Sequence, residues 1–460
     1  MIMKKVYQYI LMAVAIVTMA SCSEKEMFEP DAQKTTALRV VVGDFPAFDG
    51  NPQTRASNIG TPDAGKTQWA ENDEIIITVK SEKNGTQYTT LTYDGEEWCF
   101  DDYLKYLEGE NEEDGTLEVT ALYAPCYEVL DDAISLKEGM IQGMDEYLEV
   151  KCHIENRGVL QIPFSQADRT YSRLRIAAMP EATLTVTTEG FTPAGATVEA
   201  TEAYTLTADD KGNAYLYGTF AEEATVSVKQ GDITLKDYTF TADKNPNGTE
   251  HNKSYALDAR PVIDGTLGGK TEAEESDIRA LMDIIKNYVA NGITTLIVTG
   301  SEPAIKDMGS WTNTAIGEAI YRLSGDGTYS EDNQYNGKID LILQDVREIV
   351  EQEFFDAYAL NSINLPKVTK IGNEAFQGCY YLKQLTFGSV LTEIVETGGG
   401  MFSMVGKEVG NCDLVLNCGQ MNGTSIPDLT ANTWTIRFTY EFKSITLTHT
   451  GECDECKANQ

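Results

Sequence analysis

The feature that most constrains this chain is a stretch near its middle that occurs twice in tandem. Residues 346–365 align without a gap to residues 368–387, at an offset of 22 positions. Both copies end on two apolar residues separated by one position, and their other apolar residues recur at matching places. A fixed period in the twenties with this ending is typical of a leucine-rich solenoid. Because one unit cannot bury its own apolar face, the pattern predicts a stack of such units.

The second copy, residues 371–387, reads IGNEAFQGCYYLKQLTF. It resembles the BspA-type leucine-rich repeat, in which an Ile-Gly pair, an Ala-Phe pair and a cysteine stand at these spacings. The resemblance implies a repeat domain of short strands and turns over residues 276–460. The core positions predicted for the two copies are Ile349, Phe354, Leu360, Ile363, Leu365, Ile371, Phe376, Cys379, Leu382, Leu385 and Phe387.

Apolar pairs of the same form recur on both sides of these two copies. They are Leu296/Val298, Leu341/Leu343, Ile363/Leu365, Leu385/Phe387, Leu414/Leu416 and Ile445/Leu447, with first members 45, 22, 22, 29 and 31 residues apart. The longer spacings predict inserted loops at residues 311–337 and 396–410. Insertions in a solenoid tend to emerge on one face, which makes both loops candidate contact surfaces. The alternative is that they are tolerated surface loops.

A helical pattern precedes the first apolar pair. Ile278, Leu281, Ile285 and Val289 follow helical spacing, with Ser276 as the expected N-cap and a glycine at position 292 as the C-terminal stop. We interpret this helix as a cap over the first apolar edge of the solenoid. The glycine-rich stretch before it predicts a linker over residues 263–275.

The N-terminal half is typical of antiparallel β domains. Short segments rich in Thr and Tyr alternate apolar and polar residues and are separated by turn residues. This pattern indicates β-sandwiches rather than parallel-sheet units. The expected fold class is therefore mainly β.

Several motifs in this half resemble those of fimbrillin-like proteins. They are Thr54-Arg55-Ala56, Trp69, residues 72–75 (NDEI), residues 172–176 (SRLRI) and residues 253–257 (KSYAL). Their order implies two transthyretin-like β-sandwich domains, over residues 38–165 and 166–262. In polymerising fimbrillins a protease cuts after an arginine and removes the first strand, and the groove then accepts a strand from the next subunit.

Arg55 occupies the place of that processing site, after the first predicted strand. The alternative is that Arg55 is an ordinary exposed loop residue. The chain continues into a solenoid after the second sandwich, so a free C-terminal donor strand is not expected. We therefore predict a non-polymerising or tip-like protein rather than a stalk subunit.

Residues 1–22 have the form of a targeting segment. Lys4 and Lys5 precede an apolar run over residues 10–19 that is too short to span a membrane stably. Residues 19–22 (MASC) resemble a bacterial lipobox, which implies lipidation of Cys22 and anchoring in the outer membrane, exposed at the cell surface. The alternative is an ordinary signal peptide with an unrelated cysteine. Polar residues 23–37 predict a flexible tether.

Composition and motifs exclude several classes of function. Acidic residues outnumber basic ones 72 to 36, for a net charge of −36, which argues against nucleic acid as a partner. A calcium-like stretch begins at Asp243, but the twelfth position is Ser254 instead of the required Glu. Cys453 and Cys456 have metal or redox spacing, yet zinc needs a second pair of ligands. We predict no cofactor, no metal site and no enzymatic activity.

The function predicted from these observations is adhesion. A lipid-anchored surface protein would contact an unidentified host or bacterial surface protein or glycan through its repeat domain. A second hypothesis is a glycan-binding lipoprotein that uses exposed Trp69, Trp98, Trp311 or Trp434. A third is a fimbrial accessory or tip subunit, assembled by strand exchange after cleavage at Arg55.

The lipobox predicts that the mature protein on its native cell surface begins at a lipidated Cys22, because acyl chains supply the affinity for the membrane. Intact-mass and N-terminal analysis of the recovered protein measure this directly. The variant Cys22→Ala lacks the acyl-accepting thiol and is expected to leave the membrane fraction. A mature chain that begins at Ala56 would instead favour strand exchange.

Overall fold

A computed structural model gives the structure of this protein. It describes residues 39–48, 66–101, 110, 115–155, 159–241, 248–305, 312–326, 328–388, 391, 393–394, 403, 405–406, 412–417 and 443–448. The predicted signal peptide with Cys22, the tether, Arg55 and most of the predicted loop 396–410 lie outside these residues. Within the described ranges, no helix is both long and apolar enough to span a bilayer.

The first β region, residues 39–162, contains two sheets that share one core. Its strands are β1 (Arg39–Val42), β2 (Glu74–Ser81), β3 (Gly85–Tyr93), β4 (Trp98–Phe100), β5 (Leu117–Tyr123), β6 (Tyr127–Leu130), β7 (Ala133–Leu136), β8 (Leu148–Lys151), β9 (His153–Glu155) and β10 (Val159–Ile162). A five-stranded antiparallel sheet has the order β4-β3-β2-β5-β8, and a three-stranded sheet has the order β1-β10-β9. Ile75 and Ile77 of β2 pack in the same core as Leu160 and Ile162 of β10.

Strand β2 is apolar along one face and at Ile76 on the other, because both faces are covered at these positions. Ile75 and Ile77 point into the main core, whereas Ile76 packs beneath the β6–β7 hairpin with Val129 and Ile134. Successive side chains of a strand point to opposite faces, so a continuous apolar run is what a doubly covered strand requires.

The second β region, residues 172–258, is built around one long strand. Its strands are β11 (Ser172–Ala177), β12 (Thr183–Pro193), β13 (Tyr204–Thr207), β14 (Asn213–Gln230), β15 (Ile233–Thr239) and β16 (Ser254–Asp258). The sheet order is β13-β12-β14-β11-β16, and the far half of β14 also pairs with β15. Its core includes the buried rings of Phe191, Tyr204, Phe220 and Phe240. Mainly antiparallel strands in both regions confirm the prediction of a mainly β chain.

Arg169 joins the two β regions. Its side chain is 1 % exposed and makes an ion pair with Glu146, Nη2 to Oε1 at 3.1 Å. The same guanidinium donates to the carbonyl oxygen of Pro46 and to Asn252 Oδ1, and it lies 3.8 Å from the centroid of the Phe48 ring. A buried guanidinium is tolerated only when its donors are satisfied. The acceptors of Arg169 belong to three separate chain segments, at Pro46, Glu146 and Asn252, which this side chain therefore holds together.

The C-terminal part, residues 262–448, is a solenoid of parallel strands. Its elements are β17 (Val262–Asp264), β18 (Glu272–Ala273), α1 (Glu275–Ala290), β19 (Thr295–Thr299), β20 (Ala304–Ile305), α2 (Ala315–Leu323), β21 (Ile339–Leu343), β22 (Glu348–Ile349), β23 (Leu360–Leu365), β24 (Lys370–Ile371), β25 (Gln384–Phe387), β26 (Glu393–Ile394), β27 (Asp413–Asn417) and β28 (Ser444–Thr448). A seven-stranded parallel sheet runs in chain order, β17-β19-β21-β23-β25-β27-β28. Each connection therefore returns the chain to the next position along the stack.

The six apolar pairs from the sequence stand in register on consecutive strands of this sheet. Leu296 pairs with Leu341, Leu341 with Ile363, Ile363 with Leu385, Leu385 with Leu414, and Leu414 with Ile445. Irregular spacing in sequence thus becomes regular spacing in the sheet, because the extra residues leave the stack between strands.

The core of the solenoid lies between the long sheet and a second, minor sheet. That minor sheet has the order β22-β24-β26, with two residues per strand. All eleven predicted core residues of the two central units are at most 1 % exposed. The rings of Phe354 and Phe376 stack with centroids 5.8 Å apart, and Cys379 Sγ donates to the Phe354 carbonyl oxygen at 3.0 Å.

Helix α1 lies over the first edge of the solenoid, with Ile278, Leu281 and Ile285 buried in its core. The predicted N-cap was wrong by two residues: the cap is Glu274, and Ser276 lies within the helix. The backbone N–H of Glu274 donates to a carboxylate oxygen of Asp277 at 2.9 Å. Asp277, the third residue of the helix, thereby fixes the backbone of the N-cap, so the helix begins earlier than a serine cap suggests.

Two segments predicted as loops contain regular structure. The predicted linker, residues 263–275, includes most of β17 and all of β18, and β17 pairs with β19 as the first strand of the long sheet. The predicted inserted loop, residues 311–337, contains helix α2, capped by Thr314 Oγ1, which accepts from the Gly317 N–H. Arg322 of α2 donates to Glu275 of α1 at 2.8 Å, which ties the insertion to the cap.

Replacing Phe376 by alanine is expected to lower the free energy of unfolding of the solenoid by about 3–5 kcal/mol, because it leaves a cavity beneath a stacked ring. Chemical denaturation of the full chain, followed by circular dichroism, measures this. Lys383→Ala, an exposed change in the same unit, is the matched control and should cost within about 0.5 kcal/mol. Equal costs for the two variants would contradict this packing.

Candidate functional site

The outward side of the seven-stranded sheet differs sharply from its inward side. We call it the polar face and define it by two rows of side chains that alternate with the buried apolar pairs. The rows are Thr295, Asp340, Ser362, Gln384, Asp413 and Ser444, and beside them Ile297, Ile342, Asn364, Thr386 and Val415. From β23 onwards these are short polar groups with a single apolar member, each half-buried or exposed.

Hydrogen bonds along the first row fix the two acidic groups of the polar face. Asp340 Oδ1 accepts from Ser362 Oγ at 2.6 Å and from Asn361 Nδ2 at 2.8 Å. Asp413 Oδ1 accepts from Ser444 Oγ at 2.7 Å. Between these pairs Gln384 is exposed. The face therefore presents fixed carboxylates, with one amide between them, to solvent.

Ion pairs along one rim follow the 22-residue period. Lys367 Nζ lies 2.7 Å from Asp345 Oδ1, and Lys370 Nζ lies 3.1 Å from Glu348 Oε1. The hydrogen bond from Lys367 lowers the pKa of Asp345 below its ordinary value. Because these pairs are exposed to solvent, each adds little to stability, and their effect is on the charge pattern of the rim.

Four tyrosines cluster where the strands begin, at the opposite rim. The centroids of Tyr358 and Tyr380 are 5.0 Å apart, and Tyr329 lies 5.4 Å and 5.5 Å from them. The hydroxyl oxygens of Tyr329 and Tyr381 are 3.2 Å apart. Tyr329 is 36 % exposed, so one face of the cluster meets solvent. Sequence reasoning missed this cluster, although Tyr358 and Tyr380 stand at the repeat offset of 22.

The tryptophans considered as glycan platforms take a different role where they are described. Trp69 Nε1 donates to the Gly43 carbonyl oxygen at 2.8 Å, and its ring packs edge-on against Trp98 at 5.0 Å between centroids. Both side chains are partly buried against the core of the first β region. Both rings contribute to the packing of the first β region. Trp311 and Trp434 lie outside the described residues.

A cleft of about 600 Å³ lies between the second β region and the cap helix. Ile233, Ile263 and Leu281 contribute to its lining, and at its mouth Val262 and Ile284 are each 41 % exposed. A hydrogen bond joins the two sides of this cleft, since the backbone N–H of Asp232 donates to Asn291 Oδ1, just after the cap helix, at 2.9 Å. The cleft marks the join between the β regions and the solenoid.

The remaining sequence candidates for metal or redox chemistry are scattered or outside the described residues. Asp243 of the calcium-like stretch, Cys453 and Cys456 fall outside, and Ser254 Oγ accepts from Arg173 Nη2 at 3.0 Å within the second β region. In the described ranges, Asp94 and Glu97 are exposed and lie near Cys99 in a turn. Backbone N–H groups of Glu97 and Glu96 donate to the carboxylate of Asp94 and lower its pKa. This carboxylate therefore stabilises the turn in which it lies.

Residues 341–403 match a family model described as the BspA type leucine-rich repeat region, with 6 copies. This confirms the repeat resemblance for that stretch of the chain. No curated protein matches significantly. The fimbrillin resemblance and the transthyretin-like assignment stay predictions.

Two solved structures of candidate cell adhesion proteins are distantly similar. One, from Bacteroides uniformis, is 11 % identical over 48 % of this chain and 91 % of its own, with a TM-score of 0.26. The other, from Bacteroides fragilis, is 9 % identical over 48 % of this chain and 92 % of its own, with a TM-score of 0.25.

Proposed function

We propose that this protein is a non-enzymatic cell-surface adhesion protein that binds a partner macromolecule through the polar face of its solenoid. The observation that carries this proposal is the separation of the sheet into two chemical sides. The inward positions of β19, β21, β23 and β25, and Leu414 of β27, are apolar and buried, whereas the outward positions of β23, β25 and β27 are polar with one exception.

A parallel ladder makes this face a rigid array. Neighbouring strands lie about 4.8 Å apart, so the outward side chains repeat at that spacing across the sheet. Asp340 and Asp413 are already fixed by the hydrogen bonds of Ser362 and Ser444. Because these groups lose little conformational freedom on binding, a polar partner that matches the array is bound at a small entropic cost.

The chemistry of the face favours a hydrated partner rich in hydroxyl, amide or amino groups. In the described part of the polar face, no aromatic side chain provides a large apolar anchor of the kind that dominates obligate interfaces. A host or bacterial surface protein or glycan fits this description. In the same proposal, the lipid on Cys22 holds the chain at the outer membrane, and the β regions carry the solenoid away from it.

Glycan binding is the second candidate, and it now rests on tyrosine instead of tryptophan. The Tyr329 ring is partly exposed beside the start of the strands, where a sugar ring could stack on it. Stacking on an aromatic face at the rim, with polar groups next to it, is one way in which a largely preformed site fixes a ligand.

The fimbrial alternative requires more than the removal of one strand. Strand β1 is an edge strand that pairs only with β10 in the described residues, which suits strand exchange. Cleavage at Arg55 would also remove Phe45 and Phe48, which are buried in the core of the first β region. The incoming strand would have to replace both rings and the contact that Phe48 makes with Arg169.

Two arginine substitutions at the centre of the polar face, Asn364→Arg and Thr386→Arg, test the adhesion proposal. Each places a long charged side chain over the array, and each is expected to weaken binding to host epithelial cells or to an immobilised glycan array at least tenfold. Flow cytometry and array fluorescence measure binding. The free energy of unfolding should change by about 1 kcal/mol or less, because both positions are on the surface.

The matched control is Thr185→Arg, an exposed strand position on the second β region. It adds the same charge to a sheet that the proposal does not use, and binding should be unchanged. Loss of binding in Thr185→Arg, with full binding by both solenoid variants, would move the adhesive surface to the β regions.

A further inference from the structure

The long parallel sheet of the solenoid has an open edge beside the cleft that separates the cap helix from the second β region. Strand β17 is the first strand of this sheet, and among the described strands it pairs with β19 alone. The cleft, of about 600 Å³, is lined by all three residues of β17, by residues 232–234 at the turn between β14 and β15, and by one side of α1. An unpaired strand edge therefore borders the cleft.

The backbone of β17 leaves hydrogen-bonding groups on the side away from β19. The carbonyl oxygen of Pro261 accepts from the Ile297 N–H at 3.1 Å, and the N–H of Gly265 donates back to β19 at 2.8 Å. Because the polar backbone groups of successive residues point to opposite sides of a strand, those of Val262 and Asp264 point away from β19. The edge of a sheet with such unpaired groups is a template for a further strand.

One of these edge groups is already used by the protein itself. The carbonyl oxygen of Asp264 accepts from the Leu267 N–H at 3.3 Å, in the turn that follows β17. The N–H and the carbonyl oxygen of Val262 and the N–H of Asp264 remain for a partner among the described residues. Their spacing is that of neighbouring rungs in a β ladder, so they suit an extended backbone.

Apolar side chains flank the open edge. Ile233 and Leu281 line the cleft and are buried in the core of the solenoid. Val262 and Ile284, at the mouth, are each 41 % exposed although both are large and apolar. The side chains of an added strand would alternate between its two faces, so apolar residues at every second position would find apolar contacts here.

The cleft is elongated along the cap helix. Helix α1 contributes Asp277, Ala280, Ile284 and Asn287, which recur every three or four residues on one side. At a rise of 1.5 Å per residue this side is about 15 Å long. An extended chain covers that length with about four or five residues. The shape therefore favours an extended ligand over a compact one.

The rim of the cleft is acidic. Asp232 and Asp264 are exposed there. The Thr266 hydroxyl donates to Asp264 Oδ1 at 2.6 Å and lowers the pKa of Asp264, so this carboxylate is charged at neutral pH. A third carboxylate, Asp277, already has a cationic partner in Lys270 at 2.6 Å. Lysine or arginine side chains on a ligand would complement the first two charges.

We propose that the cleft beside β17 binds an extended peptide segment of a partner protein, which adds a strand to the open edge of the long sheet. The segment carries apolar side chains at alternate positions and at least one lysine or arginine. Its backbone pairs with Val262 and Asp264, and its apolar side chains lie between Ile233 and Ile284. Main-chain hydrogen bonds supply affinity, and the side-chain contacts supply specificity. This site is separate from the polar face and does not depend on the adhesion proposal.

Fluorescence anisotropy of the full chain with a fluorescein-labelled hexapeptide of alternating valine and lysine tests this. The wild type is expected to bind it about tenfold or more tightly than the same peptide with N-methyl groups on the amides that face β17, because those amides cannot pair. The methylated peptide keeps its charge, so it separates strand pairing from general attraction to an acidic protein. A peptide with glutamate in place of lysine should also bind more weakly. No binding of the valine–lysine peptide at about 1 mM would overturn the proposal.

Two variants locate the binding. Val262→Pro removes the edge N–H but spares the bonds to β19, because that N–H points away from β19, and it is expected to weaken binding about tenfold. Ile284→Arg places a cation at the mouth, which repels the lysines of the peptide, and should weaken binding at least as much. Ser276→Arg, exposed on α1 outside the cleft, is the matched control and should bind as the wild type does. Full binding by Val262→Pro would overturn strand addition.

A second measurement keeps the test decisive if Val262→Pro fails to fold. Hydrogen exchange of the wild type, measured by mass spectrometry, should show slower exchange in residues 262–264 when the valine–lysine peptide is bound. No added protection there would overturn strand addition. Concentration-dependent dimerisation of the wild type in analytical ultracentrifugation, abolished in Ile284→Arg, would overturn the partner peptide in favour of a second copy of this chain.

Discussion

The structure of the C-terminal half depends on one constraint, which is that a single repeat unit cannot bury its own apolar side. Each strand of the long sheet turns residues such as Leu341, Ile363 and Leu385 inward, and these residues are shielded only when the next strand stands in register. Stacking is therefore obligatory. The parallel ladder that results leaves the alternate side chains facing outward, so the packing of the core produces the polar face.

The same constraint explains how the solenoid ends and how it is joined to the rest of the chain. The first edge of the stack is covered by α1, and Ile233 of the second β region is buried in the same core as Ile278 and Leu281 of that helix. Farther towards the N-terminus, Arg169 performs the corresponding task between the two β regions through Glu146 and Asn252. Contacts of buried side chains thus run from the first β region to the solenoid.

Insertions are accommodated because they leave the stack between strands. The segment between β19 and β21 carries α2, yet Leu296 still pairs with Leu341 across it. The helix is held to the cap by Arg322, and the residue before its N-cap is held to the first repeat because Asn313 Nδ2 donates to the Glu351 carbonyl oxygen at 2.8 Å. The buried side chains of α2, such as Ile316 and Ile320, therefore belong to the core of the solenoid.

The sequence by itself determined the repeat period, the inward positions and the helical cap, because these depend on the spacing of apolar residues such as Phe354 and Phe376. Other features were decided only by the tertiary structure. The N-cap at Glu274 depends on the carboxylate of Asp277, and the role of Trp69 depends on rings that lie far away in sequence. The polar face and the tyrosine cluster exist only where stacking brings distant segments together. The period of the apolar residues shows which side chains must be buried away from water. The contacts that each buried side chain makes are decided by the fold.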